Sequence, residues 1–242
     1  MSNDTPRFEY VNSPKIEVQL LETMGSDRAI AESAWTSSYD RSRIDIRSDD
    51  DVARVVRMLA AEGHGVPFEA FVCRFWMRIP IYIDRQIVKY RIQSQSGMSA
   101  RYRTMPREWQ ELPIDALHIL DAVETNYARG VYNKFQSVSN EAYDLYEDTL
   151  ARCKTAEKSG LISNDEYKRV REVLRGVLPL AQMTETSNIL NLRSMCNLWR
   201  QRLSHYAQPE IRQVAQLMLD LVKQSNKIPV AINELEKSGW LV

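Results

Sequence analysis

The sequence contains little of what marks several common protein classes. Only eight of its 242 residues are glycine, about half the usual share, and neither GxGxxG nor GxxxxGK followed by Ser or Thr occurs. Rossmann and P-loop enzymes are therefore excluded. No stretch without a charged residue exceeds nine residues, as at 92–100 and 176–184, so we expect no membrane span and no membrane partner. The N-terminal residues lack the apolar segment of a secretory signal.

Charge and cysteine content narrow the classes further. The sequence has 32 Lys and Arg residues and 32 Asp and Glu residues, so its formal net charge is zero. Because nucleic-acid binders need a basic surface, no nucleic-acid partner is expected. The three cysteines form no CxxC pair and the three histidines no HExxH motif, so neither a disulfide nor a metal site is predicted. Unpaired cysteines are typical of a reducing compartment, and we expect a cytoplasmic protein.

Hydrophobic periodicity predicts a helix-rich α+β fold in a single domain over 1–242. The predicted strands are 18–21 and 71–79, where apolar residues alternate. Ser48 is placed to cap an amphipathic helix, and Gly63 to end it. The predicted helices are 27–34, 48–62, 80–89, 113–128, 138–159, 163–177, 187–204 and 209–224.

Three segments carry polar residues that solvation alone explains poorly. The turn Gly63–Glu69 presents a His and a Glu before a strand, although a lone His at a turn is more often structural. In 86–103, hydroxyls, amides and guanidinium groups converge as a phosphate requires, and a solvated basic loop is the alternative. Segment 191–205 places Asn and Arg on a helix that can also be simply amphipathic. Cys73 and Cys196 lie in apolar contexts that favour inert thiols.

In this order and at these separations, the three segments resemble the flavin-dependent thymidylate synthase family. The family signature, RHR followed by seven residues and Ser, appears here as Lys89-Tyr90-Arg91, seven residues and Ser99. The family's Arg-Tyr pair follows as Arg101-Tyr102. Further matches are Gly63-His64, Pro67-Phe68-Glu69, Pro80-Ile81, Arg85-Gln86, Val177-Leu178-Pro179-Leu180, Asn191, Arg193, Asn197, Arg202 and Ala207-Gln208. The resemblance spans roughly residues 16–224.

The resemblance implies a fold, an assembly and a chemistry. The implied fold is the flavin-dependent thymidylate synthase-like α+β fold, helix-rich with a small β-sheet, in a homotetramer whose active sites lie at subunit interfaces. Each site is expected to bind FAD, which NADPH reduces. Methylenetetrahydrofolate is expected to donate the one-carbon unit that methylates carbon 5 of a uridine nucleotide. The protein would supply orientation and electrostatics, and no enzyme cysteine would attack the ring.

The resemblance also assigns roles to individual positions. Arg202 matches the catalytic arginine that favours the ionised pyrimidine and so activates carbon 5. The positions expected to bind substrate are Gln86, Lys89, Gly97, Ser99, Ala100, Arg101, Glu185 and Arg202. The positions expected to bind the flavin are Ser37, His64, Lys89, Tyr90, Arg91, Asn191, Arg193 and Asn197. No positions are assigned to folate or NADPH.

Several positions depart from the family pattern around the nucleotide. Lys89 replaces the signature's first Arg and loses its bidentate fork, and Tyr90 replaces its His. Gly97 stands where the family has a Glu, and Glu185 where it has an Arg that reaches a neighbouring subunit's nucleotide. A carboxylate at 185 can accept a hydrogen bond from a ribose hydroxyl, and Gly97 leaves room for one. The pattern resembles that of family members that methylate UMP in polyoxin-type nucleoside-antibiotic biosynthesis, so we hypothesise that UMP is methylated and dUMP also accepted.

Other functions stay open at this point. A divergent thymidylate synthase specific for dUMP would make dTMP for DNA with a drifted signature. A flavoprotein scaffold that binds nucleotide without catalysis is compatible with Lys89, Tyr90 and Glu185, although the retained Arg202 argues against it. A helical nucleic-acid-binding module is disfavoured by the zero net charge.

Overall fold

The computed structural model describes residues 16–90 and 92–241, which fall into two compact units. The described part of the first unit is 80–82 and 98–183, and that of the second is 16–79, 83–90, 92–97 and 184–241. Arg91, a predicted flavin contact, lies outside the described residues. That 1–242 forms a single domain stays a prediction. Among the described residues, no helix has both the length and the apolarity needed to cross a membrane.

A four-stranded sheet lies almost entirely in the second unit. Its strands are β1 Glu17–Met24, β2 Val72–Pro80, β3 Gln93–Gly97 and β4 Met183–Asn191. They are ordered β1-β2-β4-β3, and the pairs β1–β2 and β3–β4 are antiparallel. Alternate residues of β2, from Cys73 to Ile79, are fully buried, as a period of two predicts. The two predicted strands are therefore confirmed.

The described residues also form ten α-helices, which confirms the helix-rich α+β prediction. In chain order they are α1 Asp27–Trp35, α2 Arg41–Asp45, α3 Asp49–Ala61, α4 Ile81–Ile87, α5 Ile114–Val123, α6 Tyr127–Lys158, α7 Asn164–Leu174, α8 Leu192–Arg202, α9 Pro209–Ser225 and α10 Pro229–Lys237. Ser48 and Ser163 begin α3 and α7 with capping boxes. Each serine side chain accepts a backbone N–H three residues later, and the carboxylate of Asp51 or Glu166 accepts the serine N–H.

The core of the second unit fixes the position of α8. In this unit α3 packs on α1 and α10, while α9 packs on β1 and α8. Phe75 and Met77 of β2, Trp199 of α8 and Met218 of α9 are fully buried. Each such side chain contributes about 1.5–3 kcal/mol on burial. The polar face of α8 is therefore carried by a helix that is anchored along its opposite face.

The first unit has its own core around α6 and α7. Its buried members are Ala100, Met105, Tyr146, Leu150 and Tyr167. The Tyr146 hydroxyl accepts the N–H of Met105 at 3.1 Å, and Arg171 donates to the carbonyl of Arg101 at 3.2 Å. These bonds hold the segment from 98 to 105 against the two helices.

The structure corrects the predicted helix over 187–204. Residues 183–191 form β4, and the helix begins only at Leu192. The buried side of β4 carries Thr184, Thr186 and Asn188, so its alternation is polar and is not recognised as a hydrophobic pattern. β3, within the segment 86–103, consists of Gln, Ser and Gly and has no apolar residue, so no hydrophobic alternation marks it as a strand.

Helix boundaries differ elsewhere too. The predicted helix over 80–89 is too long at its C-terminal end, because α4 ends at Ile87. α6 begins at Tyr127 rather than at 138, and α10 was not predicted. Single-sequence patterns locate helices better than they locate helix ends.

Candidate active site

A cavity of about 780 Å³ lies within the second unit, where α8 faces the segment after α4. Its polar and charged lining residues are Lys89, Tyr90, Arg193, Ser194, Asn197, Arg200, Gln201 and Arg202. Five of these (Lys89, Tyr90, Arg193, Asn197 and Arg202) are predicted site residues. The structure thus brings together the signature segment and the Asn- and Arg-rich helix, which are separated by about a hundred residues in the sequence.

Helix α8 presents its polar residues to the cavity because of where it begins. The Asn191 side chain caps the helix, accepting the N–H of Ser194 at 2.9 Å. From that start, Arg193, Asn197 and Gln201 follow at intervals of four residues and share one face. Asn191 therefore caps the helix and lies before its first turn, outside the helix on which segment 191–205 was predicted to place it.

Arg202, the predicted catalytic residue, is held at the cavity wall by Tyr90. Its Nε donates to the Tyr90 hydroxyl at 2.7 Å, and that hydroxyl donates to Gln201 Oε1 at 3.0 Å. The Gln201 amide donates in turn to Asn197 Oδ1 at 3.1 Å. Burial raises the pKa of the Tyr90 phenol, and the neighbouring Arg202 guanidinium only partly opposes this effect. At neutral pH the phenol is therefore uncharged.

The predicted turn at 63–69 reaches the same cavity through Arg193. Arg193 Nη1 donates to Glu69 at 2.8 Å. A Cβ on Gly65 would lie only 2.8 Å from Arg193 Nε, so a glycine is needed for this close approach. The exposed His64 ring contacts the Glu62 carboxylate at 3.1 Å instead of lining the cavity.

Other predicted residues of the second unit lie outside this cavity's lining. Gly97 ends β3 opposite Thr186, so Glu185 is its near neighbour on β4. The Gln86 side chain donates to Gln208 at 2.9 Å. Ser37, exposed after α1, donates to the carbonyl of Ala34.

Three predicted substrate residues, Ser99, Ala100 and Arg101, belong to the first unit. Ala100 is buried in that unit's core. The Ser99 hydroxyl accepts the N–H of Arg101 at 3.3 Å, and the Arg101 guanidinium is paired with Glu172 at 3.0 Å. The Arg101 side chain is 54% exposed, so this ion pair stabilises the fold by at most about 1 kcal/mol.

Some lining residues were missed by the sequence reasoning. Gln201 carries a recognisable signal, because it follows Asn197 by four residues on the same helix. Arg200 is its neighbour on that helix. Trp240 also lines the cavity from near the C-terminus, where its ring lies 5.7 Å from that of Phe68. No local pattern predicts such a long-range contact.

The lining has the chemistry of a site for an anionic, hydrogen-bonding ligand. Four cations (Lys89, Arg193, Arg200 and Arg202) face the cavity, while Asn197 and Gln201 supply amides. Ser194 Oγ, in the same lining, is buried and has no hydrogen-bond partner among the described residues. An unpaired buried hydroxyl is costly unless a ligand satisfies it. These donors fit the phosphates and the ring edges of a flavin nucleotide.

One cysteine, Cys196, lines this cavity. Burial raises the pKa of the Cys196 thiol to about 12, so it stays protonated although it touches the cavity. Across residues 16–90 and 92–241, no group of three or more His, Cys, Asp or Glu residues is arranged to bind a metal ion.

The α+β fold and the cationic lining of the cavity are compatible with a protein that binds an anionic nucleotide. The family described as thymidylate synthase complementing protein matches residues 19–228. The flavin-dependent thymidylate synthase of Kosmotoga olearia is 30% identical over 213 residues, covering 88% of this chain and 86% of that protein. That of Thermotoga neapolitana is also 30% identical, over 82% of this chain and 81% of its own length. The chain belongs to the flavin-dependent thymidylate synthase family, and it is a flavoprotein enzyme of nucleotide methylation.

A solved structure shows the same fold. It is the UMP/dUMP methylase PolB from Streptomyces cacaoi bound with 5-Br dUMP, which superposes with a TM-score of 0.70 over 95% of this chain and 98% of that one. Sequence identity is 22%, so this likeness concerns the fold. The fold implied by the family resemblance is therefore confirmed.

Proposed function

We propose that the protein methylates carbon 5 of UMP, and also of dUMP, using methylenetetrahydrofolate as the one-carbon donor and NADPH as the reductant. The observation that carries this proposal is the Arg202 guanidinium, held at the wall of a cationic cavity by a 2.7 Å hydrogen bond. Family membership supplies the reaction class, and Arg202 supplies the group that this reaction needs.

Arg202 acts on the pyrimidine through charge. Carbon 5 becomes nucleophilic when the ring carries negative charge, and a guanidinium beside the ring stabilises that charge. In a partly desolvated cavity, one such preorganised donor is worth about 3 kcal/mol, or roughly a hundredfold in rate. Activation by Arg202 needs no enzyme nucleophile. This agrees with the protonated state of the Cys196 thiol, which is unsuited to attack the ring.

The residues that would hold FAD are on the cavity lining. Arg193 and Lys89 supply positive charge, Asn197 supplies an amide, and the unpaired Ser194 hydroxyl supplies a further donor. When bound, the flavin supplies the redox chemistry of the methylation. His64, Ser37 and Asn191 stay in the proposal as the flavin contacts that the family resemblance assigns.

The assignment of ribose specificity rests on β3 and β4. Gly97 pairs with Thr186, the residue after Glu185, and a Cβ on Gly97 would meet only ordinary contacts at 3.4 Å or more. The loss of a side chain at Gly97 and the gain of a carboxylate at Glu185, one residue along the paired strand, support a sugar with a 2′-hydroxyl. Gln86, Ser99, Ala100 and Arg101 are proposed to bind the sugar and the phosphate.

We further propose that the enzyme is a homotetramer with active sites at subunit interfaces. In the first unit, α5 and α6 expose several large apolar side chains: Ile114, Ile119, Val123, Tyr127, Val138 and Leu145. A groove of about 580 Å³ runs along α6 beside Pro179. Exposed apolar surface on this scale is typical of a subunit interface.

The proposed biological role is the synthesis of a methylated nucleoside for antibiotic production in the cytoplasm. Gly97 and Glu185 favour it, since both replace residues of the thymidylate pattern. Synthesis of dTMP for DNA is the second candidate. It is favoured by the relatives, which are flavin-dependent thymidylate synthases at 30% identity.

The test of the chemistry compares Arg202→Ala with a matched surface variant. With FAD, NADPH and methylenetetrahydrofolate present, we expect Arg202→Ala to retain bound flavin and lose methyl transfer about 100- to 1000-fold. Arg54→Ala removes an equivalent side chain from the exposed face of α3 and should leave the rate unchanged. Product mass spectrometry and the flavin absorbance give both readouts. Methyl transfer by Arg202→Ala at the native rate would show that the assigned role is wrong.

A further inference from the structure

The Tyr90 hydroxyl is the one polar group that the described structure joins to the side chain of Arg202. The Tyr90 backbone N–H donates to the carbonyl of Ile87 at 3.0 Å, which fixes the residue in the turn after α4. Only 8% of Tyr90 is exposed, yet its hydroxyl lies at the cavity and not in the apolar core. A phenylalanine would fill the same space, so packing does not explain the hydroxyl.

The directions of the hydrogen bonds define what this hydroxyl does. A guanidinium Nε can only donate, so the phenol oxygen accepts a hydrogen bond from Arg202 at 2.7 Å. The Tyr90 hydroxyl in turn donates a hydrogen bond to Gln201 Oε1 at 3.0 Å. The Gln201 amide then donates to Asn197, which completes a chain of three bonds with one direction. Such chains strengthen each member, because every donor polarises the next.

We infer that Tyr90 is a positioning residue, which holds Arg202 by its Nε so that both terminal nitrogens remain available to the nucleotide. The described residues provide no hydrogen-bond partner for these terminal nitrogens. The guanidinium carbon lies 5.5 Å from the centre of the Tyr90 ring, which limits its movement on that side. The inference rests on the proposed function, since it concerns the arginine assigned to that reaction.

The charge state of Tyr90 suits this role. A phenolate would neutralise the guanidinium and weaken its effect on the pyrimidine. Burial raises the pKa of the phenol, so at neutral pH the hydroxyl orients Arg202 as a neutral acceptor. The cation keeps its full charge for the ligand.

The test removes the hydroxyl alone. We expect Tyr90→Phe to lower kcat about tenfold with little change in the KM of the nucleotide, because orientation of Arg202 matters most in the transition state. Flavin occupancy should stay as in the native enzyme. Tyr143→Phe is the matched control: it deletes a buried hydroxyl that donates to the Glu108 carbonyl at 3.0 Å in the other unit, and its kinetics should be native.

A second readout reports Arg202 directly and does not depend on turnover. In ¹⁵N NMR spectra of the flavin-loaded enzyme, the Arg202 Nε–H should exchange slowly with solvent and should exchange at least about tenfold faster in Tyr90→Phe. Gln201→Met, on the exposed side of α8, should reproduce part of both effects. When Gln201→Met is combined with Tyr90→Phe, it should add little to either effect, because the two residues belong to the same chain of hydrogen bonds.

The possible failures are distinguishable. If the native enzyme methylates neither nucleotide, the proposed function is wrong, while the exchange rate still decides whether Tyr90 holds Arg202. Native kcat and native Nε–H exchange in Tyr90→Phe would overturn the inference, provided that Arg202→Ala abolishes methyl transfer. If Tyr90→Phe does not fold, Gln201→Met decides in the same way: native behaviour in both assays would overturn the inference.

Discussion

Substitution of Gly65 by alanine should weaken flavin binding without unfolding the protein. The new Cβ would lie 2.8 Å from Arg193 Nε, 3.2 Å from its Cδ and 3.3 Å from its Cζ. To reach an ordinary contact near 3.4 Å, the arginine must retreat by about 0.6 Å. The obstructing atoms belong to a side chain, so the arginine can give way while the backbone stays in place.

The size of the expected loss in flavin affinity follows from the contacts that Arg193 would lose. Its 2.8 Å bond to Glu69 would lengthen, and its guanidinium would leave the position that faces the cavity. A hydrogen bond to a charged ligand is worth about 1.5–3 kcal/mol, and the half-exposed surroundings favour the lower value. We therefore expect flavin affinity to fall roughly tenfold, with a change of under about 1 kcal/mol in the free energy of unfolding.

The assay is a fluorescence titration of the flavin-free protein with FAD, together with thermal unfolding. Gly176→Ala provides the control, because a Cβ there meets nothing within 4 Å. Native flavin affinity in Gly65→Ala would refute the view that the missing side chain at position 65 lets Arg193 take its place at the cavity. Loss of the folded state would equally refute it, since the clash would then involve more than one side chain.

Further predictions concern the thiols, the sugar and the assembly. Because burial raises the pKa of Cys73 and Cys196 to about 12, thiolate forms only well above neutral pH; at pH 8 a thiol reagent should label Cys153 alone in the native protein and all three after denaturation. Gly97→Ala should fold normally yet lower the ratio of kcat/KM for UMP to that for dUMP, measured in mixtures of the two; an unchanged ratio would remove Gly97 from the specificity argument. Val138→Glu, on the exposed face of α6, should dissociate the proposed tetramer in light scattering, and an unchanged assembly size would exclude this face as the interface.

The elements that could be predicted from sequence were those with a hydrophobic period. β2 alternates fully buried residues with partly buried ones, and α3 combines a Ser48 cap with an apolar stripe, so both were located within a residue or two. β4 could not be found this way, because its buried side carries Thr184, Thr186 and Asn188. Polar residues in a sheet acquire their burial from tertiary contacts that a local pattern does not contain.

The candidate site was likewise predictable only in part from the sequence. The family motifs locate Lys89, Arg193 and Arg202 on the chain, and the structure adds their common cavity. The hydrogen bond from Arg202 to Tyr90 joins residues 112 positions apart. At that separation neither helical spacing nor composition indicates a contact, and the family pattern, which has His at this position, gives no precedent for it.

The central claim, methylation at carbon 5 of UMP, is tested most directly by tritium release. Native enzyme is incubated with FAD, NADPH and methylenetetrahydrofolate, and with UMP or dUMP labelled with tritium at carbon 5. We expect tritium release from both nucleotides, with the greater kcat/KM for UMP and a methylated product in each case. Release from dUMP alone would contradict the assignment of Gly97 and Glu185 to ribose recognition and would identify a thymidylate synthase that makes dTMP.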